Sequence, residues 1–160
     1  MRRAFTLVEL VLVMALLVVM LGLAIPSLSR SMRGRSLMAE ATRLLGATEY
    51  ARDEATSKGV PMVVWIDMTE GRFGVKPKTG YEDSGARTKE FALTGGVQFG
   101  QLQSLKAAGG ETDAAEFQPD GTLDPSSQAS ISLVDRSNST AGIQQTKDAY
   151  GYEIVKDTQQ

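Results

Sequence analysis

The first pattern along the chain is an unbroken apolar run. Residues 10–29 carry no charge, and Leu, Val and Met fill 10–21 with hardly any other residue type. As an α-helix this run spans about 30 Å, the thickness of a bilayer core. No polar stripe marks any face, so a helix lying on a surface is disfavoured and burial all round is implied. Beyond Pro26 the apolar positions thin to Leu37, Ala41, Leu44, Thr48, Ala51 and Ala55, steps of four and three that mark one helix face. Glu40, Arg43, Glu49, Arg52, Asp53 and Glu54 are expected on other faces, and Gly59-Val60-Pro61 stops the run. One helix over 5–58 is predicted, an apolar half and an amphipathic half, bending at Gly22 and Pro26 and near Gly34.

After residue 59 the period changes. The β-branched run 60–67, a turn at Thr69-Glu70-Gly71 and the return 72–76 predict a hairpin. Further strands are predicted at 89–93, 97–102, 115–117, 131–135 and 152–156, with polar surface loops at 77–87, 105–113 and 136–147. The fold class that follows is α+β, a long N-terminal helix packed on an antiparallel sheet domain. The helix's Leu/Ala stripe is the natural cover for the sheet, preferred over a separate coiled coil. Trp65 and Phe73, at strand positions, read as core. Four segments result: a leader at 1–4, an apolar helix at 5–29, a stalk helix at 30–58 and a β-rich globular region at 59–160.

Composition narrows the chemistry. The 160 residues hold neither Cys nor His, which removes disulfides, thiolate metal sites and the commonest catalytic base. With 17 basic and 19 acidic residues there is no excess positive charge to attract nucleic acid. Gly95-Gly96 and Gly109-Gly110 do not continue into a phosphate-binding Gly-Lys-Ser/Thr. Asp120 and Asp124 lack the spacing and the further acidic ligand of a calcium loop, and read as solvated turn residues. No catalytic constellation, cofactor site or metal site is expected, and the chain is read as a non-enzyme.

The N-terminal run has a plain reading as a secretory signal peptide, with Arg2 and Arg3 leading and Gly22 and Ala24 preceding a cut. Two features oppose it. Glu9 sits among Leu7, Val8, Leu10 and Val11, where a carboxylate at membrane depth costs about 2.5–3.5 kcal/mol unless paired or near the interface. The apolar character also begins at Phe5, after four residues only, and the helical pattern continues past Pro26. Ala4-Phe5-Thr6-Leu7-Val8-Glu9 and the run behind it resemble the processing signal of type IV pilins and type II secretion pseudopilins. The resemblance implies cleavage by prepilin peptidase between Ala4 and Phe5, methylation of the Phe5 amine, and Glu9 as fifth residue of the mature chain. Ala4 stands where the family usually has Gly, and Pro26 coincides with a helix-kinking proline frequent there.

Rise and side-chain direction keep Glu9 from pairing readily with the amine of its own helix. A neighbouring subunit shifted axially by about one turn would present its own Phe5 amine and neutralise both charges. The alternative is a solvated Glu9 at the membrane edge. Lys/Arg counts on the two sides of the apolar run are nearly balanced, so orientation rests on the resemblance: N-terminus cytoplasmic, globular region periplasmic, one pass through the inner membrane.

A second signal is Phe117-Gln118-Pro119-Asp120-Gly121-Thr122, followed by the predicted strands at 131–135 and 152–156. It resembles the late Phe-x-Pro-Asp/Asn-Gly turn of GspH/FimT-like minor pseudopilins and pilins, and it is also a sound β-turn in any protein. The resemblance implies a subunit that helps initiate or cap a type IV pilus. Its implied partners are major and minor pilins, the peptidase, an inner-membrane assembly platform and lipid. The alternatives are a GspH-like pseudopilin of a type II secretion system, a secreted β-domain binder cut after Ala24, and an anchored enzyme with a novel carboxylate site.

Overall fold

The computed structural model describes residues 7–100 and 110–157, with backbone only for 21–34 and 157. Its single α-helix, α1, runs Leu7–Lys58. The chain forms two compact units, 1–35 and 36–160.

In the first unit every described side chain, 7–20, is exposed. Among the described residues no helix is long and apolar enough to cross a membrane. The described apolar stretch is only about 21 Å of helix, and the remainder of the expected span falls on 21–34. The bend expected at Gly22 and Pro26 also lies outside the described side chains.

The second unit begins with the stalk half of α1. Leu37, Ala41, Leu44, Ala47, Thr48, Ala51 and Ala55 are all buried, so the predicted stripe is the face that packs inward. The helix ends as its sequence requires: Gly59 adopts φ 67° and donates its N–H to the Ala55 carbonyl at 2.9 Å, a left-handed cap that any side chain would strain.

Eight strands follow: β1 Met62–Asp67, β2 Arg72–Pro77, β3 Lys89–Ala92, β4 Gln98–Phe99, β5 Glu111–Phe117, β6 Ser130–Val134, β7 Thr140–Gln145 and β8 Tyr152–Asp157. They form two four-stranded sheets, β3-β2-β1-β5 and β4-β6-β7-β8, every pair antiparallel. The core joins Leu37, Leu44 and the buried Ala of α1 to Met62, Phe73 and Phe117 of one sheet and Ile131, Leu133 and Ile143 of the other. Phe73 stacks on Phe91 at 5.3 Å and meets Phe99 edge-on at 6.3 Å, linking the two sheets.

β1 is buried on both faces, which its continuous apolar sequence encodes. Val64 and Ile66 belong to the core. Trp65 is equally buried, and the absence of a side chain at Gly74 leaves room for it: a Cβ there would lie 2.7 Å from the indole. The Lys76 ammonium lies 5.8 Å from the ring centre.

Several expectations need correction. The strands make two sheets rather than one. The predicted loop 136–147 contains β7, which pairs on both edges, with Ala141, Gly142 and Ile143 buried. Its Thr-Ala-Gly-Ile-Gln-Gln sequence has low strand propensity, and packing overrides it. A Cβ on Gly142 would collide with the Ile131 carbonyl and come within 2.9 Å of Ser132 Cα, so β6 and β7 approach closely only because Gly is there. β5 starts at Glu111, inside the predicted loop 105–113, while residues 101–109 lie outside the described set.

The last correction is Glu40, expected on another face of the helix but 2% exposed. Its carboxylate accepts hydrogen bonds from Arg43 Nη1, at 2.8 Å to each oxygen, and from the Thr94 hydroxyl in the β3–β4 connection. The pair of partners satisfies a charge that burial alone would penalise.

Gly142→Ala is expected to destabilise the domain by about 1–3 kcal/mol, the usual cost of overpacking, in denaturant unfolding. An unchanged midpoint would show that β6 and β7 do not approach as closely as described.

Candidate assembly site

The residues that sequence reasoning singled out fall into two places. Ala4 and Phe5, the expected processing site, lie outside the described residues. Glu9 is exposed and lies in the first turn of the described part of α1. Around and beyond it Leu7, Leu10, Leu12, Val18 and Met20 are each more than half exposed. Together they form a continuous exposed apolar surface.

The second place is the turn after β5. Phe117 is fully buried, and its backbone bridges Leu123. Between them Gly121 N–H donates to the Gln118 carbonyl and Gln118 N–H to the Thr122 carbonyl, both at 2.8 Å, closing a hairpin with a three-residue loop. Pro119 supplies the fixed φ of the first turn position, Asp120 the second, and Gly121 the left-handed third at φ 83°. Asp120 Oδ1 accepts hydrogen bonds from Thr122 N–H at 3.0 Å and its hydroxyl at 2.7 Å. Gly121 is buried against α1, where a Cβ would stand 3.2 Å from Thr56 Cγ2. The turn therefore docks the end of β5 against the last turns of the helix.

The carboxylates near this turn are engaged by their own loops. The Thr122 hydroxyl, then its N–H, hold Asp120 below the usual carboxylate range, and the Ser126 hydroxyl, then its N–H, do the same for Asp124. Asp124 Oδ2 also accepts from Gln118 Nε2 at 3.1 Å. Among the described residues no cluster of three potential metal ligands occurs. Tyr152 is buried, donates its hydroxyl to the Gln128 carbonyl at 2.8 Å, and is pushed well above the usual tyrosine range by desolvation.

No protein-family model matches the chain, and no curated protein matches it. Among solved structures, the minor pseudopilin EpsH of the type 2 secretion system of Vibrio cholerae superimposes with a TM-score of 0.52 at 15% identity, over 79% of this chain and 98% of that one. The chain has the minor-pseudopilin fold.

Within the pseudopilin fold the sequence located the helix face and the late turn. It missed Glu40 and Thr94. The Glu40–Arg43 spacing of three was a visible sign of an ion pair, but nothing near Thr94 marked it as the third member.

The depressed carboxyls give a pH signature. An acid whose folded pKa lies below its unfolded value contributes stability above the unfolded pKa and loses it as pH falls through the folded one. Unfolding stability is therefore expected to decline below about pH 4, and less steeply in Asp120→Asn, when followed by denaturant titration at several pH values. Identical pH profiles for parent and variant would show that the Thr122 bonds do not hold Asp120.

Proposed function

We propose that the chain is a minor pilin-like subunit, processed by prepilin peptidase between Ala4 and Phe5, that helps initiate or cap a fibre built from related subunits. The observation that carries this reading is the pairing of a minor-pseudopilin fold with an exposed apolar helix bearing Glu9 in its first turn. In this reading the apolar half of α1 anchors the precursor in the inner membrane, with the β domain in the periplasm. It later packs beside equivalent helices, each Glu9 taking the methylated Phe5 amine of a neighbour. Such a contact neutralises two charges that lipid or a fibre core would otherwise leave exposed to low dielectric. The reading gives the chain no catalysis of its own: an assembly platform and a separate cytoplasmic ATPase supply the work.

Two fibre systems fit. The fold comparison was with a type 2 secretion subunit, which favours the pseudopilus. The absence of Cys leans the same way, since many pilins close their C-terminal loop with a disulfide. The type IV pilus is the second reading, supported by long polar connections suited to an exposed tip.

Glu9→Ala, expressed in the native host at parental level, is expected to fold normally and yet be lost from sheared fibres or from cross-linked complexes with the other subunits. Full incorporation of Glu9→Ala would remove the assembly role. Deleting the chain separates the systems: retention of secreted enzymes in the periplasm marks the pseudopilus, and loss of surface pili with normal secretion marks the pilus.

A further inference from the structure

The four sheet edges are treated unequally. β5 is covered, because Asp124 and Gln128 N–H groups donate at 2.8 Å to the Glu116 and Ala114 carbonyls. β4 is two residues long, and β3 is four residues long with exposed Lys89 and Glu90. These are the usual ways of blunting an edge. β8 is different: six residues in full register with β7, no bulge and no proline, ending its sheet among the described residues, with Val155 39% exposed.

The direction of its backbone groups follows from the hairpin. Thr146 N–H donates to the Gly151 carbonyl at 2.9 Å, so residues 146 and 151 form a hydrogen-bonded pair. Antiparallel alternation then turns the N–H and C=O of Glu153 and Val155 toward β7, and those of Tyr152, Ile154 and Lys156 toward the open edge.

A second copy of the same strand meets these groups in one register. A two-fold axis normal to the sheet keeps the faces of both copies aligned, so β8 pairs with itself only about a single residue. An axis at Glu153 sets that carboxylate against its own copy, an axis at Lys156 does the same for the ammonium, and an axis at Val155 sets Glu153 opposite Asp157. An axis at Ile154 sets Ile154 opposite itself, Glu153 opposite Val155 and Tyr152 opposite Lys156. No like charges then face each other, and every outward N–H and C=O of 152, 154 and 156 gains a partner. We propose that β8 is a self-pairing edge, joining two copies of this chain antiparallel about Ile154 into one continuous sheet. This inference does not depend on the chain entering a fibre.

The absence of cysteine makes the register directly readable. Full-length Glu153→Cys and Val155→Cys chains, carrying different tags, are mixed in detergent and oxidised with copper phenanthroline. A disulfide-linked species bearing both tags is expected at least tenfold above either homodimer, because only residues 153 and 155 face each other across a close pair. Lys156→Pro in both chains removes an outward N–H without touching the β7 ladder, and is expected to abolish the cross-link while leaving the unfolding midpoint unchanged. Failure of the mixture to cross-link, homodimers of Val155→Cys as the main product, or cross-linking that survives Lys156→Pro would each overturn the pairing. A dimer held only by the apolar helix would give the last of these results.

Discussion

The close seat of α1 on its two sheets is the constraint on which the domain depends. Ala41, Ala47, Ala51 and Ala55 line the buried face with Leu37 and Leu44, and Leu45 packs beside it partly buried. Each Ala contributes little burial free energy of its own, about a third or less of what a Leu would give. Its value is steric: small side chains let the helix backbone approach strands whose inward residues are large, among them Met62, Phe73, Phe117, Ile131 and Ile143. Most of the hydrophobic stabilisation therefore lies on the sheet side, and the helix supplies a flat cover. A polar contact and a close packing contact fix the place of that cover, with Glu40 holding the Thr94 hydroxyl near one end and Gly121 packed beside the Thr56 methyl near the other.

This arrangement separates two uses of one helix. Its stalk half spends its apolar face inside the domain, whereas every residue of 7–20 is exposed. A helix that is apolar all round has to find its cover elsewhere, in lipid or in copies of itself. The pseudopilin fold and the proposed fibre role meet at that point: the same helix that completes the core of the globular unit carries the surface that would bind other subunits. Electrostatics reinforces the division, since Glu9 is the one charge within 7–20 and sits in the first turn of α1.

What the sequence disclosed follows from which forces are periodic. The α1 stripe at 37–55 and the β1–β2 hairpin were legible because burial recurs at fixed spacing and because Asp67, whose side chain accepts the Thr69 and Glu70 N–H groups, and Gly71, at φ 64°, close a recognisable turn. The Pro119-Asp120-Gly121 turn was legible for the same local reason. β7 was not, because its strand is made by neighbours on both sides rather than by its own side chains, and Gly142 reads as a loop residue until β6 is seen against it. Glu40 was hidden because burial of a charge depends on a partner 54 residues away. The expected processing site at Ala4 and Phe5 came from local pattern and family resemblance alone, and it lies outside the described residues.

The central claim is that this chain is matured as a fibre subunit, and the N-terminus of the mature protein tests it most directly. Intact-mass and terminal-fragment spectrometry on the protein recovered from membranes of its own host should find a chain beginning at Phe5 with a methylated amine. A chain beginning at Ile25 would instead mean release by an ordinary signal peptidase. It would leave Glu9 on a discarded segment and contradict the fibre account.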